Sequence, residues 1–197
     1  MPVILASSSA IRAQLLRSAG LCIDCVNPRV DEAAIRDALL AEGATPRDIA
    51  DALAESKARK VAAKHPAAWV LGCDQVLAIG GACLEKPTTR DAARSQLLEL
   101  KGKTHQLLSA AVLYHQNAPV WRHVGVARLT MRDFSEAYLK AYIDRNWPAI
   151  ASSVGAYQLE GEGVRLFSQI QGDYFTVLGL PMLELLNFLT SRGVIEG

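Results

Sequence analysis

Apolar residues recur along this chain in two alternating rhythms, short unbroken runs and stripes spaced three or four apart, and the alternation predicts strands and helices in turn. Residues 3–6 read as a first strand and residues 21–26 as a second. Between them, Ser7-Ser8-Ser9 leads into a helix over residues 10–19, with Ser9 as its N-cap and Gly20 as its end. Ile11, Leu15, Leu16 and Ala19 give that helix an apolar face. Asn27-Pro28 ends the second strand, and a helical stretch follows over residues 33–40. Thr45 and Pro46, a cap and then a proline in the first turn, start a longer helix that runs to about Lys64. Its inward stripe reads Ile49, Leu53, Lys57, Val61. Residues 69–73 are apolar enough for a buried strand, Asp74-Gln75 interrupts, the run resumes over 76–79, and Gly80-Gly81 turns the chain.

In the second half, Thr88 or Thr89 starts a helix that ends near Leu100, with Ala93, Leu97 and Leu100 inward and Gly102 closing it. Residues 106–114 and 120–131 form two strands of a hairpin around 116–119. Ser135 caps a helix to about Arg145, which Asn146-Trp147-Pro148 breaks. Glycine recurs so often from 153 to 179 that short strands with sharp bends are expected there. Leu180-Pro181 opens a last helix with Met182, Leu185, Leu186 and Leu189 inward, ended by Gly193.

Composition narrows the classes. A chain of 197 residues, half of them hydrophobic, is one large globular domain or a domain with two lobes. Its net charge of +1, from 21 basic and 20 acidic residues, leaves no electrostatic footprint for duplex nucleic acid or an anionic membrane. An anion is therefore met by a few local groups. The start lacks a basic n-region and a hydrophobic segment of signal length, and no window approaches the roughly 20 apolar residues that span a bilayer, so a soluble cytoplasmic protein is expected. Cys22 and Cys25 form a C-x-x-C, but zinc needs four converging ligands, and in a strand residues three apart point to opposite faces. Buried apolar thiols are the reading. Gly102-Lys103-Thr104 resembles the end of a phosphate-binding loop, but Leu97 stands where that motif needs glycine, and the helix precedes it instead of following. His105, His115 and His123 have no metal spacing and read as solvated.

Four positions carry candidate chemistry, each with two readings. Asp74, interrupting an apolar run, is protonated, paired or facing a cation, because an unpartnered buried charge costs several kcal/mol (roughly). It either serves a site with Lys86, twelve residues on and stiffened by Pro87, or makes a structural turn or ion pair at a strand end. Arg12 sits in a first helical turn, where the dipole disfavours a cation by about 0.3–1 kcal/mol. It is a solvated surface arginine or, with the serine hydroxyls and helix amides, part of a phosphate site. Glu32, after Val30-Asp31, either caps the following helix or acts as a metal ligand or base. Lys57, on an inward stripe, needs a carboxylate or phosphate partner unless it snorkels out.

Taken in order, L-A-S-S-S-A-I-R-A-Q-L-L at the start, V-D-E at 30–32, Lys57-Ala58, G-C-D-Q followed by E-K-P, G-K-T-H at 102–105, Glu160-Gly161, and G-D-Y followed by G-L-P span the chain. In these motifs the chain resembles the Maf family of nucleoside triphosphate pyrophosphatases from end to end. The resemblance implies an α/β fold, a mixed sheet with flanking helices in two lobes around a central cleft, related in architecture to inosine triphosphate pyrophosphatases, and a homodimer. It also implies hydrolysis of a nucleoside triphosphate to monophosphate and pyrophosphate with Mg²⁺ or Mn²⁺. Matched residue by residue, it makes Asp74 the proton acceptor, Glu32 a second essential acid, and Lys57 and Lys86 phosphate-facing lysines; Glu32 and Asp74 are then expected to hold the metal or its water, each as ligand or as base. Ser7, Ser9 and Arg12 match the N-terminal phosphate loop.

Three departures from the common pattern, Ala10-Ile11 for proline and arginine, Gln75 after the catalytic acid, and Glu160 for glutamine, look like the branch acting on 7-methyl-GTP, although that branch usually carries a bulkier residue at Ile11. The implied substrate contacts are then Ile11, Gln75 and Glu160, with Gln75 sensing which nucleotide has arrived. Guanine's adjacent N1–H and 2-amino donors suit a carboxylate such as Glu160, and methylation at N7 adds positive charge that favours it further. The alternatives are a dTTP and UTP pyrophosphatase of the same family, or a nucleotide-binding regulator of septation. Gln75 raises a geometric question: in a regular strand it points away from Asp74, so if both touch substrate the strand must end or bulge there.

Overall fold

A computed structural model describes residues 3–196. The first strand, β1 (Val3–Ala6), is buried along its whole length and lies parallel to β2 (Ile23–Cys25) on one edge and to β3 (Trp69–Ile79) on the other. Helix α1 (Ala10–Ser18) carries the chain from β1 to β2, and α2 (Glu32–Ala41) and α3 (Pro46–Ala62) carry it on to β3. A short β4 (Ala82–Leu84) returns antiparallel along β3. Then follow α4 (Arg90–Leu100), the long hairpin of β5 (Thr104–His115) and β6 (Ala118–Met131), and α5 (Glu136–Asn146). Strand β7 (Phe167–Gln171) pairs antiparallel with β6, and α6 (Tyr174–Val177) and α7 (Met182–Ser191) end the chain. The sheet has seven strands in the order β2-β1-β3-β5-β6-β7 with β4 beside β3, a mixed sheet with flanking helices as expected.

The chain divides into two compact units: one holds the chain up to Gln75, Leu108–Gly125 and the chain from Tyr174 on, the other Val76–Leu107 and Val126–Asp173. The core of the first is built by Leu5, Leu16, Leu71, Leu113, Leu185 and Leu189. In the second, α4 packs on α5 and on the turn at 154–156.

Gly72 fixes how closely α3 lies on β3. A Cβ there would stand 2.2 Å from the carbonyl oxygen of Ala54 and 2.6 Å from the amide of Ala58, backbone atoms of α3 with no rotamer in which to yield. Gly72→Ala is therefore expected to lower stability by about 2–3 kcal/mol in urea unfolding, since the helix itself must shift. An unchanged midpoint would mean that α3 has slack on this face.

Four expectations are corrected. Residues 153–179 are not a series of short strands. They form 3-10 turns at Ala149–Ser152, Val154–Ala156 and Glu162–Leu166, before the single strand β7 and helix α6. Local bonds such as Ala156 N–H to Ser153 and Val164 N–H to Gly161 satisfy the backbone within the turns, so no ladder is needed. Cys22 and Cys25 are exposed, because β2 is only three residues long and lies at the sheet edge; Cys73 is buried, and burial pushes its thiol up to about 11.

His105 is 1% exposed, with Nε2 at 2.7 Å from the hydroxyl of Tyr157. Desolvation lowers its pKa to about 4, so it is a neutral core group. The other two histidines lie against aromatic rings: His115 stacks on Trp69, and His123 on Trp121 with Nε2 3.9 Å from Glu184. Finally, β3 does not stop at Asp74 but runs straight through it.

Candidate active site

Asp74 sits between two of the ladders that β3 makes. The ladder with β1 ends at Gly72 and the ladder with β4 begins at Leu77, so residues 73–76 lie between the two. Alternation along the strand puts Gly72 and Asp74 on the face that α3 covers, and Cys73 and Gln75 on the other. Because Gly72 admits α3 so closely, the inward stripe of that helix brings Lys57 directly onto Asp74. Lys57 Nζ stands 2.6 Å from Asp74 Oδ1 and 2.9 Å from Glu32 Oε1, with Lys57 5% and Asp74 7% exposed. Lys57 does not snorkel. It is an ammonium held between two carboxylates.

The two acids of the V-D-E motif divide the roles that sequence left open. Asp31 is the cap of α2, accepting from the amide of Ala34 at 3.1 Å, and Glu32, one residue into the helix, turns to Lys57. Burial raises the pKa of Asp74; the charges of Lys57 and Arg12 and the hydrogen bond from Lys57 oppose that shift, and Glu32 adds to it. A carboxylate whose proton affinity is raised yet which lies beside a cation is a group poised to accept a proton.

Arg12 is neither solvated nor free for an anion alone. Its Nε donates to the carbonyl of Gly179 at 2.8 Å, and Nη1 donates to the carbonyl of Cys73 at 3.2 Å and to Ser7 Oγ at 3.4 Å. The guanidinium has five N–H donors, and the two on Nη2 take part in none of these bonds. Ser7 is buried, and its hydroxyl also accepts from the amide of Ser9 at 3.2 Å. Ser9 caps α1 as expected, accepting from the amide of Arg12 at 3.4 Å. Ile11 is half-buried beside them.

Gln75 occupies the opposite face of β3, so the geometric question resolves without a bulge. Its Nε2 donates to Ser109 Oγ at 2.9 Å and to the carbonyls of Val177 at 2.9 Å and Thr176 at 3.2 Å. The sequence reading missed Ser109, whose only signal was a lone hydroxyl in the apolar run L-L-S-A-A-V-L, and it missed the carbonyls of Cys73 and Gly179, which leave no side-chain signature.

The first unit thus gathers Ser7, Ser9, Ile11, Arg12, Glu32, Lys57, Asp74 and Gln75. Lys86 and Glu160 belong to the second. Lys86 is exposed just after β4, and Glu160 is exposed in the turn before Gly161. Nearby Glu162 is committed to structure: Arg145 grips it through two bonds at 3.1 and 2.5 Å, Asn146 adds a third, and its pKa falls to about 2.

Among the described residues no three His, Cys, Asp or Glu side chains gather as a metal cluster. Glu32 and Asp74 nevertheless converge on one cation, the ammonium of Lys57. Two carboxylates suit Mg²⁺ or Mn²⁺, which keep several waters and bind through one or two acids plus substrate phosphates.

Comparison with known proteins places the chain in a family. The chain is 59% identical over its whole length to the nucleoside triphosphate pyrophosphatase of Ruegeria pomeroyi, covering 98% of that protein. It is 47% identical to the 7-methyl-GTP pyrophosphatase of Brucella abortus, over 99% of this chain and 98% of that one. The solved dITP/XTP pyrophosphatase of Mycobacterium abscessus aligns over 98% of this chain and 96% of its own at 13% identity and a TM-score of 0.41, too loose a likeness to carry an argument. The expectation of a nucleoside triphosphate pyrophosphatase agrees with the name of the Ruegeria relative. Residues 2–192 match the family described as Maf-like protein, and the chain belongs to that family.

Proposed function

We propose that this protein hydrolyses 7-methyl-GTP to 7-methyl-GMP and pyrophosphate. The observation that carries the hydrolytic part is the buried pair of Lys57 and Asp74, with the exposed Glu32 on the same ammonium, in which an acid of raised proton affinity touches a fixed cation. Asp74 takes a proton from water as the water oxygen bonds to the α-phosphorus and the bond to the pyrophosphate oxygen breaks. Lys57, Lys86 and the unused edge of Arg12 neutralise charge on the phosphate chain as pyrophosphate leaves. Glu32 and Asp74 would hold Mg²⁺ or Mn²⁺, which supplies charge neutralisation and Lewis acidity when bound. Ser7 and Ser9 order the turn from which Arg12 projects.

The base is read from Glu160. It is an exposed carboxylate on a glycine-flanked turn, suited to guanine's paired donors and to the positive charge of the N7-methylated ring. The name of the Brucella relative supports this choice. Ile11, lacking the charge of an arginine, is consistent with a cationic base. The same reading takes the protein as a cytoplasmic homodimer; among the described residues no helix is long and apolar enough to cross a membrane.

Initial rates of pyrophosphate release over a panel of triphosphates test the proposal. With Mg²⁺ or Mn²⁺ present, kcat/KM for 7-methyl-GTP is expected to exceed that for dTTP and UTP by about 10- to 100-fold, and a chelator is expected to stop release. A pyrimidine preference would overturn the reading of Glu160. Tight nucleotide binding without pyrophosphate release would overturn hydrolysis and favour a regulator.

A further inference from the structure

The G-K-T-H motif takes no part in the proposed chemistry, yet its last residue is one of the most deeply buried polar groups of the second unit. Gly102, at φ +69°, turns the chain out of α4, and the bond from the amide of Met131 to the carbonyl of Lys103 sets β5 in step with β6. That register puts His105 inward at 1% exposure, with Nε2 2.7 Å from the hydroxyl of Tyr157, itself 4% exposed. Phe167 closes the group, its ring edge-on to Tyr157 and tilted to His105. Among the described residues Nδ1 of His105 has no hydrogen-bond partner, so the bond to Tyr157 is what ties this ring to its surroundings.

Tyr157 opens the segment that carries Glu160. The carbonyl before it, of Ala156, accepts from the hydroxyl of Tyr142 at 3.2 Å. The next side chain, Gln158, donates to the carbonyl of Ala149 at 3.2 Å and to Ser152 Oγ at 3.1 Å. Its own carbonyl accepts from the amide of Gly161 at 3.2 Å, which closes a turn with Glu160 inside it. Gly163 folds back on the same residue: a Cβ there would stand 2.4 Å from the carbonyl oxygen of Gln158 and 2.7 Å from its amide nitrogen. On the far side Glu162 is gripped by Arg145 and Asn146. Glu160 therefore projects from a turn held at both ends, and the hold on the Tyr157 side reaches into the core at β5.

From these contacts we infer that His105 is a positioning residue for Glu160: through Tyr157 it fixes the turn over 158–161, and with it the direction from which the carboxylate meets the base. The inference rests on the proposal that Glu160 meets the base. A buried tyrosine hydroxyl needs a partner, and a neutral imidazole supplies one without bringing a charge into the core. Phenylalanine in its place would fill much of the space and leave the hydroxyl alone.

The test is therefore His105→Phe. Backbone exchange at Gly161 and Val164, whose amides close the turns onto Gln158 and Gly161, is expected to accelerate about tenfold. In binding measured with a chelator present, so that turnover does not enter, the Kd for 7-methyl-GTP is expected to rise about tenfold. The Kd for inorganic tripolyphosphate, which has no base, should stay within about twofold, and the margin by which 7-methyl-GTP is bound over dTTP should shrink about tenfold. In a Glu160→Gln background His105→Phe should reduce that margin no further. Tyr157→Phe removes the other half of the bond, should act in the same direction, and stands in if His105→Phe fails to fold. An equal loss for 7-methyl-GTP and dTTP, a tripolyphosphate affinity that falls as far, or a further loss of margin in the Glu160→Gln background would each overturn the inference. If the native protein binds dTTP as tightly as 7-methyl-GTP, the proposed reading of Glu160 falls by itself. Faster exchange at Gly161 and Val164 would then still support the hold of His105 on the turn, and unchanged exchange would overturn it.

Discussion

Asp74→Asn is expected to cut pyrophosphate release by about a thousandfold or more while leaving the protein folded. The amide has the shape of the carboxylate and keeps an oxygen to accept from Lys57 Nζ, now 2.6 Å away, but it cannot take a proton from water or offer a charge to a metal. Stability should move little, within about 1–2 kcal/mol, because two effects oppose each other. The substitution removes a charge that burial disfavours, and it weakens an ion pair. The pH profile separates the chemical role from a structural one. As the base, Asp74 must be ionised, and burial has raised its pKa. Activity of the native protein should therefore rise with pH through a limb above the ordinary carboxylate range, and this limb should vanish from any residual activity of the variant. Wild-type rates in Asp74→Asn would remove Asp74 from the mechanism. A lost fold would instead leave its role to Asp74→Glu, which keeps the charge and displaces it.

How far the sequence spoke depended on whether a residue's task was local. Lys57 was legible because its helix begins at an unmistakable Thr45-Pro46 and repeats every four residues, so an inward lysine called for an anionic partner unless it snorkelled out. It has two. The caps at Ser9 and Ser135 were legible for the same reason, and the choice between Thr88 and Thr89 falls to Thr89, since a cap is decided within four residues. Asp31 and Glu32 could not be divided in advance, because either could cap α2 and only the position of Lys57 assigns the second. The partners that hold Arg12 were not legible, since they are carbonyls of Cys73 and Gly179, and backbone oxygens look the same in every sequence. Cys22 and Cys25 were misplaced for a topological reason: whether an apolar strand is central or an edge depends on strand order, which no local pattern encodes. His105 became a core residue once β5 began at Thr104 and put it in step with Leu107 on the buried face. For Gln75, strand alternation alone was enough to say that it faces away from Asp74. The pleat sends it away from Asp74, and the structure gives it work there.

Lys57→Met should damage both stability and turnover, and the pH dependence of the first identifies the cause. Methionine fills the stem's volume in α3 but leaves Asp74, 7% exposed, without its nearest cation and with Glu32 still adding repulsion. Breaking one side of a buried pair costs about 3–5 kcal/mol where the remaining charge stays ionised. Asp74 can limit that loss by keeping its proton, and so the cost depends on pH. The native pKa of Asp74 is already raised, so between the ordinary carboxylate value and that raised one the native state holds a proton that the unfolded chain has released. Stability falls as pH rises through this window. Without Lys57, whose charge and hydrogen bond both pull the pKa down, the window extends further upward and the fall is larger. The deficit of the variant in urea unfolding should therefore be smallest at acid pH, where Asp74 keeps its proton, and grow to about 3 kcal/mol as pH rises past the range in which Asp74 ionises. Turnover should fall by about a hundredfold, with the acid limb of the profile displaced to higher pH, because the base now ionises later and a charge facing the phosphates is gone. A deficit independent of pH would remove the pairing with Asp74 as the source of the lost stability, and unchanged turnover would remove Lys57 from the catalysis.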